Sequence, residues 1–276
     1  MVDLRTFAQT VRHSPFLSRL DLLWSCIRGP YHVLLNAIGG ARVLIGGEIV
    51  VRMPAQYSGF FWEQYEPESM RTAIDWVRSN PGCTVLDIGC SVGIFSVACL
   101  FADMQSEVIA FDSDLESLVE TRSMCRYCSG SRLRTIYGLV SDESGPALPE
   151  ALAISEMAIA GRGQHGLPGE TSYVCLSDDP GYLIPRIRLD DLFSNEFVGR
   201  RILLKCDVEG AELLVLKGAR AFLASHRPTL LLSVHPPTLP KYGHTAEQIK
   251  LFLHDMQYEV RVIAIDHEEH WFCKPG

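Results

Sequence analysis

Apolar positions change their period along the chain, and those changes mark out the elements. Phe16, Leu17, Leu20, Leu23, Trp24 and Ile27 recur at helical spacing, which predicts an amphipathic helix near the start. Val43-Leu44-Ile45 and Ile49-Val50-Val51 flank Gly46-Gly47, the signature of a hairpin over Ala41 to Met53. Met70, Ile74 and Val77 share one face of a helix predicted over Glu66 to Arg78, which Asn80-Pro81-Gly82 stops. Beyond it, short apolar runs alternate with helical periods. The runs predict strands at Thr84–Ile88, Glu107–Phe111, Leu133–Val140, Ile202–Cys206, Thr229–His235, Glu259–Ile265 and Trp271–Cys273. The helical periods fall near Ile94–Asp103, Leu115–Cys128, Ala211–Ser225 and Thr245–Met256.

This alternation predicts an α/β fold: a doubly wound, mostly parallel, seven-stranded sheet with helices on both faces. Residues 1–55 read as an N-terminal helical and hairpin extension, and 56–276 as one domain. The segment 141–188 breaks the pattern with Gly145-Pro146, Gly161, Gly163, Gly166, Pro168-Gly169, Pro180-Gly181 and Pro185. A stretch this long between two strands predicts an inserted loop or hairpin, with short strands near Thr171–Leu176 and Pro185–Leu189.

Composition narrows the function classes. Twenty-five Lys plus Arg against 33 Asp plus Glu leave a net charge of −8, which argues against a nucleic-acid surface. The nine cysteines are odd in number and sit mostly in apolar runs, as expected of reduced, buried thiols. The lone Cys125-Arg-Tyr-Cys128 has no second metal-spaced pair to answer it. No basic segment followed by a long apolar core opens the chain, and no apolar run reaches the ~20 residues a membrane span needs. A soluble, cytoplasmic protein without a membrane partner is expected, as a monomer or homodimer.

Ligands in such sheets bind beyond the strand C-terminal ends, so the chemistry is sought there. Val85-Leu86-Asp87-Ile88-Gly89-Cys90-Ser91-Val92-Gly93 runs from a strand through a glycine turn into a helix. The turn reads GxxxG, without the third glycine of a nicotinamide fingerprint, and an acid precedes it. An acid on that rim repels a pyrophosphate but suits an amino group or a sulfonium, which favours S-adenosylmethionine. A true GxGxxG at 161–166 neither ends a strand nor opens an apolar helix, and reads as a chance match. Asp112 ends the second strand about 20 residues after the turn, placed to accept two ribose hydroxyls. Ser113 lies beside it, and Asp114 reads as a helix cap. After the third strand, Leu139 and Val140 could give adenine an apolar face, and Ser141 or Asp142 a polar edge.

The fourth strand runs from apolar residues straight into Lys205-Cys206-Asp207-Val208-Glu209-Gly210-Ala211-Glu212. Asp207 and Glu209 lie where a cofactor on the first strand would present its reactive group. Glu212 could cap or bind the first-turn amides of the following helix. His235 ends the fifth strand before Pro236-Pro237 and should lie near Asp207, a competent pairing for a general base. Asp266-His267-Glu268-Glu269-His270 lacks metal-protease spacing and reads as a solvated hairpin turn.

Asp87-Ile-Gly89-Cys-Ser91-Val-Gly93, Phe111-Asp112, Ile187-Arg-Leu-Asp190-Asp191-Leu192, Leu204-Lys205-Cys-Asp207-Val-Glu209-Gly210-Ala-Glu212 and Ser233-Val-His235 together resemble the FkbM-type S-adenosylmethionine-dependent methyltransferases. The resemblance spans roughly residues 60 to 273 and rests most on the Lys-x-Asp-Val-Glu-Gly-Ala-Glu element. Ser91 stands where the family often has Asn, and Asp112-Ser113 where it often has Glu-Pro. The resemblance implies a Rossmann-like class I fold and O-methylation of a hydroxyl on a sugar or natural product. The cofactor residues would be Asp87, Gly89, Ser91, Gly93, Asp112, Ser113, Val140, Ser141 and Asp207. His235 would be the base, with Asp207 orienting it and Glu209 holding the substrate or the His. No metal is expected, although Asp207 and Glu209 would suit magnesium. A nucleotide- or NAD-binding oxidoreductase and a non-catalytic methyltransferase-like scaffold are the alternative readings.

Overall fold

The structure, a computed structural model, describes residues 21–128, 132–144, 185–193, 196–197 and 199–276, with side chains from residue 28 onward. Phe16, Leu17 and Leu20, the GxGxxG stretch and the strand expected near Thr171–Leu176 lie outside the described residues.

Helix α1 (Asp21–Ala37) leads into the hairpin β1 (Ala41–Ile45) and β2 (Ile49–Met53). Helix α2 (Pro67–Ser79) follows, and then the alternating series begins: β3 (Thr84–Ile88), α3 (Ile94–Ala102), β4 (Glu107–Asp112), α4 (Leu115–Met124) and β5 (Leu133–Tyr137). Two short strands, β6 (Leu139–Val140) and β7 (Arg186–Ile187), pair with each other outside the main sheet. The chain continues through α5 (Leu189–Leu192), β8 (Ile202–Cys206), α6 (Glu212–Gly218), α7 (Arg220–His226), β9 (Thr229–Val234), α8 (Ala246–Asp255), β10 (Tyr258–Ile265) and β11 (Glu269–Pro275).

The main sheet has seven strands in the order β10-β11-β9-β8-β3-β4-β5. β5, β4, β3, β8 and β9 are parallel, while β11 runs antiparallel to both β9 and β10. This is the doubly wound, Rossmann-like arrangement that the alternation predicts. The central strands are buried on both faces, which is why they read as mostly apolar, with Asp87 in β3 and Lys205 in β8 as buried charges. Along β3 the alternation assigns Val85 to one core with α2, α3 and α4, and Leu86 and Ile88 to the other with α6, α7 and α8.

The helix starts have local causes. Asp114 caps α4 by accepting from the Glu116 and Ser117 amides, as its position suggests. Thr245 and Gln248 form a reciprocal capping box on α8.

Two expected elements are divided. The strand expected over Leu133–Val140 is interrupted at Gly138, and Leu139–Val140 leave the sheet to pair with Arg186–Ile187. The helix expected over Ala211–Ser225 divides after Gly218, where a Cβ would sit 1.8 Å from the Ser141 carbonyl oxygen. The chain following β6 crosses that helix at backbone contact, and only glycine leaves room for it.

The hairpin shares the core of the main body. Val43, Ile45, Val51 and Met53 are fully buried with Ile74, Val97 and Leu118. Ile45→Ala should therefore lower the unfolding free energy by about 2–5 kcal/mol in a urea titration. A loss below about 1 kcal/mol would show that the hairpin is separable from the core it touches.

The sheet order reverses between β3 and β8: the chain builds outward from β3 through β4 to β5, then returns to add β8 and β9 on the other side. The C-terminal ends of β3, β4, β8 and β9 therefore share one edge, with the crevice at the switch point. Among the described residues, no helix is long and apolar enough to cross a membrane.

Candidate active site

The glycine turn after β3 is held on both sides. The Gly89 and Cys90 amides donate to the Phe111 carbonyl of β4, and the Asp207 amide donates to the Ile88 carbonyl. Gly89 has φ 79°, and a Cβ there would lie 1.8 Å from the Asp207 carbonyl oxygen. The turn thus lies against the acidic end of β8, and no residue with a side chain could take its place. Ser91 is exposed at φ 48°, and Gly93, at φ 80°, is the N-cap of α3.

Asp112 faces this turn from the end of β4. One carboxylate oxygen accepts from the Ser91 amide at 2.9 Å, the other from the Asp114 amide at 2.9 Å. Two charge-assisted bonds to backbone fix its orientation while leaving acceptor capacity on each oxygen. Ser113 is half-buried beside it.

Asp87 sits beneath the turn instead of on its rim. It has no accessible surface, accepts from the Ser96 hydroxyl at 2.6 Å, and lies 3.7 Å from the Lys205 ammonium. Lys205 also donates to the Gly89 carbonyl at 3.2 Å and to Asp207 at 3.1 Å. Burial works to lower the lysine pKa, but Asp207 and Asp87 more than offset it, so Lys205 is held firmly as an ammonium. It joins the acidic strand end to the glycine turn, a role the sequence reading does not assign.

On the adenine side, the expectation for Val140 is corrected. Its side chain is buried in the core with Ile187, because β6 pairs with β7, and Leu139 is the residue with accessible apolar surface. Ser141 is also buried, with its hydroxyl on Asp142.

At the other end of the crevice the structure brings His235, Asp207 and Glu209 together and adds Glu212 and Glu268. Glu212 is fully buried at the start of α6; one oxygen accepts from the Gly210 amide at 2.9 Å and from His235 Nδ1 at 2.7 Å. Nε2 of the same ring faces Asp207 Oδ1 at 3.6 Å and Glu209 Oε2 at 3.6 Å, and is in closest contact with Glu268 Oε2. Burial lowers the imidazole pKa, but hydrogen bonds to Glu212 and Glu268 raise it to about 10.

This corrects the base assignment. With a carboxylate on each nitrogen the ring is an imidazolium near neutral pH, and an imidazolium has no lone pair to accept a substrate proton. The acceptors left facing the opening are Asp207 and Glu209. Asp207 is tied to Lys205 and His235, whereas the Glu209 side chain is 79% exposed, on a residue held at φ 53°.

The turn at 266–270 is also corrected. His267 is exposed as expected, but Glu268 and His270 are buried, because the β9–β11 register carries them under the sheet edge. His270 lies 3.2 Å from Asp266 and 4.0 Å from Glu66, whose carboxyl pKa burial pushes up. Among the described residues, Cys125 and Cys128 are free thiols, as are Cys83, Cys90, Cys99, Cys206 and Cys273.

The family model described as "Methyltransferase FkbM domain" matches residues 87–260, more than half of the chain. No curated protein matches. Among solved structures, a methyltransferase FkbM from Methylobacillus flagellatus KT is 16% identical, with 70% of this chain and 43% of that chain covered, at TM-score 0.42. This chain thus spans less than half of that protein's length. A SAM-dependent methyltransferase from Aquifex aeolicus is 11% identical, with coverages of 74% and 88% and TM-score 0.43. Aeropyrum pernix fibrillarin, in complex with S-adenosyl-L-methionine, is 11% identical, with coverages of 75% and 76% and TM-score 0.43.

Proposed function

The chain belongs to the FkbM methyltransferase family, an S-adenosylmethionine-dependent class, and from that premise we propose that it methylates a hydroxyl on a sugar or natural-product acceptor. The observation that carries this reading is the contact between Gly89 and the Asp207 backbone, which sets the glycine turn directly against the acidic end of β8. Transfer to a neutral amine needs no proton acceptor at the moment of attack, whereas an aliphatic hydroxyl does, and carboxylates stand at that position.

S-adenosylmethionine, when bound, supplies a methyl group made electrophilic by its sulfonium. The residues at the crevice fit it. Asp112 would accept from the ribose hydroxyls, the Gly89–Gly93 turn would admit the aminoacyl portion, and exposed Leu139 would face adenine. Asp87 would act from below by holding Lys205 against the turn. At the reacting end, Glu209 would take the hydroxyl proton, while His235 and Lys205 hold Asp207 in place. Residues 1–55 would help to shape the acceptor side. A small-molecule acceptor in the cytoplasm, with no membrane or nucleic-acid partner, is supported by the net charge of −8 and the free thiols. The chain would work as a monomer or homodimer.

The test is transfer from methyl-labelled S-adenosylmethionine to a panel of hydroxylated sugars and natural products. Label recovered as a methyl ether supports the reading; label recovered only on nitrogen or carbon overturns it. For the cofactor side, Asp112→Ala should weaken S-adenosylhomocysteine binding by about 1.5–3 kcal/mol, the range for hydrogen bonds to a charged group. Calorimetry checks this, and an unchanged affinity would remove Asp112 from the ribose site.

A further inference from the structure

We propose that Asp207, His235 and Glu268 form a binding site for one divalent transition-metal ion. The inference begins with strand register. β11 pairs antiparallel with β9 through Glu269 opposite Val234 and His270 opposite Ser233, so the next step along the ladder sets Glu268 beside His235. One ligand atom from each of Asp207, His235 and Glu268 then lies within 4.8 Å of the others.

The imidazole is oriented for coordination. Its Nδ1 is committed to Glu212 at 2.7 Å, so Nε2 is the nitrogen that faces the acids. A histidine that binds a metal through one nitrogen characteristically donates the other N–H to a carboxylate, which fixes its tautomer and ring angle. Glu212 holds that second position, and the Gly210 amide anchors it in turn.

A second observation points to a missing cation. Glu268 is 3% exposed, with Oε2 toward His235 and Oε1 3.4 Å from His270 Nε2, yet Oε1 has no hydrogen-bond partner, and neither does the buried Oε2 of Glu212. A buried carboxylate oxygen left bare is costly, and an ion bound by Glu268 would relieve it. Charge agrees: four carboxylates surround the single His235 ring, and Lys205 reaches only Asp207 among them. One imidazole with two carboxylates suits ions of the manganese-to-zinc series better than calcium, which prefers oxygen alone. The ion would take the place beside Nε2 that a proton otherwise holds. Asp207 is partly exposed and Glu209 largely so, which keeps one side of the site open. Its role for an acceptor hydroxyl would rest on the O-methylation reading; binding of the ion does not.

The experiment is a titration of chelator-stripped protein with Mn²⁺ alone, following free Mn²⁺ by its electron paramagnetic resonance signal. One ion per chain is expected. Glu268→Gln and Asp207→Asn should each abolish saturable binding, and Glu212→Gln should weaken it about 10–100-fold. Thermal melts confirm that each variant is folded, and Asp207→Asn, at a partly exposed position, carries the test if Glu268→Gln is not. Absence of saturable binding to the unaltered chain overturns the proposal. So does binding that survives Asp207→Asn but is lost in Glu66→Gln, which would move the ion to Glu66, Glu268 and His270. S-adenosylhomocysteine affinity, measured on the same preparations, reports on the cofactor reading separately.

Discussion

Lys205→Met should lower the unfolding free energy by about 3–5 kcal/mol, the cost of removing one partner from a buried ion pair. The ammonium lies between Asp87 and Asp207, donates to the Gly89 carbonyl and sits over the Phe95 ring. Methionine fills a similar volume but leaves Asp87 fully buried, with the Ser96 hydroxyl as its remaining hydrogen bond. The deficit should depend on pH with a definite sign. Burial already raises the folded-state pKa of Asp87, and loss of the opposing ammonium raises it further. A carboxyl whose folded pKa exceeds its unfolded value destabilises the fold above that folded pKa, and the cost disappears as pH falls below the unfolded one. The variant should therefore be most impaired at alkaline pH and recover part of its stability toward pH ~5. Urea titrations at the two extremes check this; an equal deficit at both would mean that Lys205 contributes by packing alone. S-adenosylhomocysteine affinity should fall as well, because the Gly89 carbonyl loses its anchor.

Much of the fold is legible along the chain because the central strands are buried on both faces and the turns carry glycine. Thr84–Ile88 and Ile202–Cys206 are apolar runs each carrying a single charge, Asp87 and Lys205, and their limits coincide with β3 and β8. Asp112 is legible because a strand end beside a glycine turn is a local pattern. What fails locally is contact between distant segments. The need for glycine at 218 comes from the carbonyl of Ser141, far earlier in the chain. Val140 is turned inward by pairing between β6 and β7, two strands too short to leave a periodic signal. Glu268 sits in a run of charges that by itself reads as a solvated turn, and only the antiparallel register of β11 on β9 brings it to His235. The signal that was available is the strand just after it: Trp271-Phe272-Cys273 is too apolar for a sheet edge, so the acids leading into it must enter beside the core. The role of His235 changes for the same reason. Paired with Asp207 alone it would be a base, but enclosed by Glu212 and Glu268 it becomes a fixed ring, protonated where no ion is bound, that orders the acids around it.

On the proposed O-methylation reading the proton acceptor is Glu209, and Glu209→Gln should reduce turnover by about 10²–10⁴, the usual contribution of general acid–base catalysis. The argument is one of availability. Asp207 has one oxygen on the Lys205 ammonium and the other toward His235, so both of its oxygens are already engaged. Glu209 follows two residues later, at the turn leading into α6, with a largely exposed carboxylate that approaches the same imidazolium from the solvent side. Its φ of 53° is a left-handed conformation that non-glycine residues seldom adopt, and such strain persists only where the surroundings enforce it. Glutamine keeps the size and one acceptor oxygen but cannot take up a proton, so acceptor and cofactor binding should be nearly unchanged while the chemical step slows. Single-turnover methylation of the acceptor found in the panel measures that step, and calorimetry with S-adenosylhomocysteine measures cofactor binding. His235→Gln separates the two roles: it should disturb Asp207 and Glu209 together and impair both binding and turnover. Turnover in Glu209→Gln within tenfold of the unaltered enzyme would return the proton to Asp207. A loss of cofactor affinity as large as the loss of turnover would show that Glu209 holds the site together and does not accept the proton.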